Sequence, residues 1–150
     1  WEIDTVEGRK SDSPRLLVAT ERMSLWTRLA RIPNNTAAAV LSALQHWRAR
    51  RRSLFLSLTP DQGSEFSRLE RFLPNTHIFP CDAHCPWQKG IVENTNGLIR
   101  FYIPKGYPIS QLSPDYLLYV EDLLNDRPRK SLQWLTPREL ASLLHPACAL

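Results

Sequence analysis

The sequence lacks most of the features that would place it outside a cell or in a membrane. It has three cysteines in 150 residues. That odd count, with no framework spacing, fits a reducing compartment better than a disulfide scaffold. No stretch reaches the roughly 18 apolar residues of a membrane-crossing helix, so no membrane partner is expected. No basic-then-apolar leader opens the chain, so no secretion signal is read. There is no internal repeat and no low-complexity tract. Charge is also modest: 19 Lys and Arg stand against 15 Asp and Glu, a net +4 with a pI near 9.2. This permits a polyanionic partner without demanding one. An initiator Met is missing too, and strand-like residues begin at once with Trp1. The chain therefore reads as an excised domain.

What is present is an ordinary globular composition, 43% hydrophobic and 23% charged, in a length that suits one domain over residues 1–150 with a real core. Residues 1–7 read as a strand, with Glu2, Asp4 and Val6 on one face and Trp1, Ile3 and Thr5 on the other. Arg15 to Thr20 reads as a buried central strand and Leu25 to Ile32 as a third. Pro33-Asn34-Asn35 then offers a helix cap. Helix 35–49 carries an apolar stripe of Ala37, Val40, Leu41, Leu44 and Trp47. Ser53 to Thr59 alternates Leu54, Leu56 and Leu58 against Phe55, Ser57 and Thr59. A helix from about Ser64 would bury Phe66, Leu69, Phe72 and Leu73. His77 to Phe79 is a last short strand. Helices are predicted from Pro86, near 114–125 and after Pro137. Strands alternating with helices argue an α/β fold, and short turns between the early strands argue a mixed sheet.

The stretch Pro86-Trp87-Gln88-Lys89-Gly90-Ile91-Val92-Glu93-Asn94-Thr95-Asn96-Gly97 organises the rest. Helical geometry puts Lys89, Gly90, Glu93, Asn96, Gly97 and Arg100 along roughly one face. Each glycine costs a helix about 1 kcal/mol relative to alanine, which a plain packing helix would not accept. A face without bulk, with bases around a lone acid, would admit a phosphate backbone. Two further acids draw notice: Asp4 within the first strand and Asp61 just after the fourth. Each has an ordinary reading. Asp4 could lie on an exposed strand edge, Asp61 could be a turn residue, and Glu93 could be a solvated helix residue. Their joint order is what argues for a site.

Asp61-Gln62-Gly63-Ser64-Glu65-Phe66, the Glu93 helix and Leu124-Asn125-Asp126-Arg127-Pro128-Arg129-Lys130 together resemble a bacterial insertion-sequence transposase. The closest resemblance is to the insertion-sequence-thirty (IS30) family, within the retroviral-integrase superfamily, and it runs from Trp1 to Leu144. It implies an RNase H-like (retroviral integrase-like) fold, a mixed five-stranded sheet flanked by helices. It also implies that Asp4, Asp61 and Glu93 form a DDE triad holding two magnesium (or manganese) ions. Asp4 would bridge both ions, Asp61 would complete one site and Glu93 the other. Such a pair would activate water, or later a DNA 3′-hydroxyl, and stabilise the leaving oxygen. The implied activity is cleavage at transposon ends and joining of the freed 3′-hydroxyl to target DNA. The full protein would be cytoplasmic, nucleoid-associated and multimeric. A helix-turn-helix region precedes the core in the family and is expected to be absent from this chain.

Lys89, Asn94, Asn96, Arg100, Arg127, Arg129 and Lys130 are candidate DNA contacts, each with the alternative of solvated surface. The run Arg48 to Arg52 is similarly either a phosphate contact or a solvated helix end. Glu2, Glu7, Glu65, Asp82 and Glu121 are competing acids kept outside the triad. Cys81-Asp82-Ala83-His84-Cys85 offers only three soft ligands, one short of a closed zinc site, and His84 is a candidate lining residue. Two other functions fit the same sequence: a nuclease of the same fold without strand transfer, and a non-catalytic nucleic-acid-binding module.

Overall fold

A computed structural model describes residues 1–50, 55–82 and 85–144. Strand β1 (Glu2–Glu7) pairs antiparallel with β2 (Arg15–Thr20), which pairs antiparallel with β3 (Thr27–Ile32). Every residue of β2 from Leu16 to Thr20 is buried. The strand is central and covered on both faces, hence its unbroken apolar run. Leu17 and Ala19 join Ile3 in a core against helix α1 (Ala37–Arg50), while Leu16 and Val18 join Val6 in a second core on the opposite face. That second core is built on helices α3 (Gly90–Tyr102) and α4 (Pro114–Asn125). Helices thus cover both faces of the sheet.

Strand β4 (Ser57–Leu58) pairs in parallel with β5 (His77–Ile78). The free edge of β1 meets β4. The Trp1 ammonium donates to the Ser57 carbonyl (2.9 Å), Thr59 N to the Trp1 carbonyl (2.7 Å) and Ile3 N to the Thr59 carbonyl (3.1 Å). The expected mixed five-stranded sheet is therefore seen as a three-stranded antiparallel sheet and a two-stranded ladder, joined by one parallel bridge, Glu2 to Thr59. Pro60 follows at once and has no N–H to extend the pairing.

Local corrections have similar causes. β3 starts at Thr27 because Leu25 takes φ 61°, in a turn that the Glu21 carboxylate holds through the amides of Met23 and Ser24. The cap of α1 is Thr36, whose Oγ1 accepts from Ala39 N, rather than Asn34 or Asn35. Leu56 is 70% exposed while Phe55 and Leu58 are buried, so the alternation read over Ser53 to Thr59 fails outside the short ladder. Phe72 is also exposed. The expected helix is split into a 3-10 turn, Ser64–Phe66, and a single-turn α2 (Leu69–Phe72), which shifts the helical phase. Residues 51–54 of the basic run and the strand lie outside the described residues.

Side chains of α4 finish the outer edge of β3. Asn125 Oδ1 accepts from Thr27 N and its Nδ2 donates to the Thr27 carbonyl, both at 2.8 Å. One turn earlier, Glu121 accepts from Leu29 N (2.8 Å) and pairs with Arg28 (3.2 Å). Asn125 and Glu121 are thus structural. Helix α5 (Pro137–Leu144) is tied back by Arg138, which bridges Asp122 and Asp126 and lies over the Trp26 ring.

Candidate active site

β1 sends alternate side chains toward α3, and two of them are acids. Glu2 is 1% exposed. Its Oε2 accepts from Ile91 N (3.0 Å) and Val92 N (2.9 Å), the first-turn amides of α3. These donors have no partner within the helix, and the helix dipole favours an anion there. Glu2 therefore fixes where α3 begins and how it is turned. Alternation had already placed Glu2 on the face of Asp4, but it could not show that the facing element would be a helix N-terminus. Arg22 Nε lies 3.4 Å from the other Glu2 oxygen.

Two residues along, Asp4 Oδ1 accepts from Lys89 Nζ at 3.0 Å and Oδ2 from Asn96 Nδ2 at 2.8 Å. The same Lys89 ammonium donates to Asp61 Oδ2 at 3.2 Å. Asp61 Oδ1 accepts from Gly63 N at 2.8 Å, closing an Asx-type turn after Pro60. The two aspartates, 85 and 28 residues from Lys89 in sequence, thus share one cation. Gly63 is needed for space: a Cβ there would lie 2.5 Å from Glu65 Oε2 and 2.8 Å from Asp61 Oδ1. Glu65 is itself buried and accepts from Asn35 Nδ2 (3.0 Å) and Thr5 Oγ1 (3.3 Å).

Lys89 is only 7% exposed. Burial acts against its charge, but the Asp4 and Asp61 carboxylates outweigh burial and raise its pKa above the ordinary lysine value. Nearby Cys81 is buried, and that burial pushes its thiol pKa up, with Lys89 opposing. Gln62 Nε2 donates to the Cys81 carbonyl. Cys81 and Cys85 are free thiols, and His84 lies outside the described residues.

Glu93 is exposed, and it stands on α3 four residues after Lys89 and three before Asn96. Both of those neighbours along its face contact Asp4. The structure therefore brings Asp4 and Asp61 together and sets Glu93 on the same helix face, facing solvent. Among the described residues, no three Asp, Glu, His or Cys groups gather closely enough to hold a metal ion. Asn96 Oδ1 is buried with no hydrogen-bond partner among the described residues. A Cβ added at Gly90 or Gly97 would meet nothing within 4 Å. Among the described residues no packing requires either glycine.

The candidate nucleic-acid contacts divide by exposure. Asn94, Arg127 and Lys130 are exposed. Arg100 is half-buried and donates to the Glu7 carbonyl (2.9 Å). Arg129 donates to the Leu124 carbonyl (3.0 Å), and burial together with neighbouring Arg127 lowers its pKa. Lys89 and Asn96 are engaged with Asp4. Trp87, in the Pro86–Lys89 turn before α3, is 74% exposed. Among the described residues no helix is long and apolar enough to cross a membrane.

No profile of a described protein family matches the chain. Individual relatives do. The transposase of insertion sequence IS1086 from Cupriavidus metallidurans is 40% identical over 146 residues, 93% of this chain and 42% of that protein. Transposase InsI of IS30A from Escherichia coli K12 is 38% identical over 143 residues, 93% of this chain and 37% of that protein. The transposase of IS4351 from Bacteroides fragilis is 35% identical over 141 residues, covering 92% and 43%. Among solved structures, the catalytic core domain of the integrase of BIV superposes with a TM-score of 0.75 at 21% identity, covering 97% of this chain and 95% of that one. A simian T-cell lymphotropic virus intasome, in complex with a PP2A regulatory subunit, gives 0.64 at 20% identity, covering 83% and 47%. The fold is that of the integrase catalytic cores. The chain spans about two-fifths of the length of the curated relatives it matches, and over that span it is similar to the insertion-sequence transposases, IS30 among them.

Proposed function

We propose that this chain is the catalytic core of a DDE transposase, cleaving transposon ends in a metal-dependent reaction and transferring the 3′-hydroxyl into target DNA. The observation that carries the reading is the convergence of Asp4 and Asp61 on one cation, 3.0 and 3.2 Å from the Lys89 ammonium, beside a helix face bearing Glu93. The donor set fits magnesium or manganese. Two carboxylates already share a positive charge, and the unpartnered Oδ1 of Asn96 is a further hard oxygen. Asp4, Asp61 and Glu93 would hold the ions. When bound, these would activate water or a 3′-hydroxyl and stabilise the leaving oxygen.

The chain's own residues do the positioning. Glu2 orients α3, Asn96 and the Gly63 amide aim the two aspartates, and Gly63 leaves room between Asp61 and Glu65. Gly90 and Gly97 leave the Glu93 face without side-chain bulk at two positions, so a phosphate backbone could lie close to it there. Exposed Asn94, Arg127 and Lys130 would track that backbone, whereas Arg100 and Arg129 would first have to leave the Glu7 and Leu124 carbonyls. DNA as the partner is supported by the transposase names of the relatives, and multimers are proposed for the full-length protein.

A branched DNA carrying a free 3′-hydroxyl beside a phosphodiester tests the chemistry without requiring end recognition. The chain should cleave and rejoin it with manganese, and Asp4→Asn, Asp61→Asn and Glu93→Gln should each abolish this. Cleavage without joining would leave a nuclease. Full activity in any of the three variants would sink the triad.

A further inference from the structure

We propose that Lys89 is the resident cation of the carboxylate pair, a positioning residue that a divalent ion must displace to load the site. The inference rests on the metal reading just given. The lysine is not a surface charge that happens to lie near two acids: its side chain is 9% exposed. Burying an ammonium is unfavourable unless it is paired, so its place is set by Asp4 and Asp61 together. It takes Asp4 Oδ1 and Asp61 Oδ2. A divalent ion held by Asp4 and Asp61 would compete with the ammonium for the same two carboxylates, and two cations at such range repel.

The remaining oxygens are what make exchange workable. Asp4 Oδ2 is held by Asn96 and Asp61 Oδ1 by the Gly63 amide. Each carboxylate therefore keeps a second anchor, and stays aimed, when the ammonium leaves. An exit is present as well, because the Asp61 side chain is 44% exposed. Lys89 also sits at a joint. It ends the 3-10 turn Pro86–Lys89, has φ −120° and ψ 24°, and precedes α3. Gly90, next to it, has no neighbour for a Cβ within 4 Å. The joint can turn without breaking side-chain packing at that residue. Lys89 would then hold the two aspartates in register before loading and limit loading to ions that outcompete it.

Calorimetric titration of the 150-residue chain with manganese, alongside Lys89→Met, Lys89→Gln and Asp4→Asn, tests this. We expect Lys89→Met to bind manganese about tenfold more tightly than the parent chain, the equivalent of about 1.4 kcal/mol. Asp4→Asn should bind weakly. In the parent chain, the nitrogen-15 resonance of the Lys89 ammonium should shift as magnesium saturates the site. Equal or weaker binding by both Lys89 variants overturns the proposal. So does a Lys89 resonance unmoved at magnesium concentrations that shift the Asp4 carboxyl carbon. If Lys89→Met does not fold, Lys89→Gln and the parent resonance decide. Metal binding without a Lys89 response refutes only this inference, whereas no binding by the parent chain and both Lys89 variants refutes the metal reading and this inference with it.

Discussion

Replacing Glu2 tests whether one strand acid sets the site helix. Its carboxylate is 1% exposed and accepts two amides, Ile91 N at 3.0 Å and Val92 N at 2.9 Å. Glu2→Ala would leave both donors unpaired, Val92 N buried and Ile91 N partly so, and each unpaired buried donor costs about 1–3 kcal/mol. A loss of about 2–5 kcal/mol is therefore expected, reduced if water enters the space. For a chain of this length each kcal/mol lowers Tm by about 2–4 °C, so Tm should fall by roughly 4–20 °C. Glu2→Gln keeps an accepting oxygen but loses the charge opposite the helix dipole. It should cost less, about 1–2 kcal/mol. Urea unfolding followed by circular dichroism gives both magnitudes. Hydrogen exchange gives the location: the amides of Ile91 and Val92 should lose protection in Glu2→Ala before the β2 amides do. If those two amides stay protected, or if Glu2→Ala and Glu2→Gln behave alike, the helix is held by its packing on the sheet and the argument about Glu2 is wrong.

Three other outcomes are expected. Asn125→Ala, which strips two hydrogen bonds from the β3 edge, should cost about 2–4 kcal/mol in urea unfolding; a value below about 0.5 kcal/mol would mean that Glu121 and packing suffice. Gly90→Ala with Gly97→Ala should raise stability by about 1–2 kcal/mol, since both sites are open, yet weaken DNA binding in a filter or anisotropy assay; unchanged DNA affinity would remove the role given to the bare face. Glu139 accepts from Thr136 N (2.7 Å) and Thr136 Oγ1 (2.9 Å), and the backbone bond above all lowers its pKa from 4.5. A lowered carboxylate contributes stability above its unfolded pKa and loses it as pH falls through the folded one. Protection of α5 should therefore exceed that of Glu139→Gln at neutral pH and match it in acid, and a difference that persists in strong acid would refute the cap.

The parts of this molecule that were legible in its sequence are those where a local rule matched a tertiary one. β2 could be read to the residue because an unbroken apolar run, Leu16 to Ala19, is too short for a helix and fits a strand covered on both faces. The face shared by Glu2, Asp4 and Val6 was legible because strand alternation needs no knowledge of what lies opposite. Failures occurred where a partner several dozen residues away decides. Leu56 is exposed because β4 pairs over only two residues. Asn125, in a stretch rich in arginine, is the side chain that closes the β3 edge, and nothing in its neighbourhood signals an edge strand. The same limit affected Lys89. Helical spacing placed it on the Glu93 face among basic residues, as for a phosphate contact. The fold turns its amine inward, to acids on two other elements.

That inward lysine also accounts for the exposure of Glu93. Asp4, Asp61 and the Lys89 ammonium together carry a single net negative charge, spread over oxygens that are all hydrogen-bonded. A third carboxylate drawn against them would add like-charge repulsion, stronger in a half-buried site than in water. Glu93 has a cheaper alternative one turn away in solvent. A cation of higher charge among the three would reverse that balance and favour convergence. On the proposed metal reading, the two aspartates are gathered by the fold, and the glutamate would join them only when a stronger cation replaces the lysine.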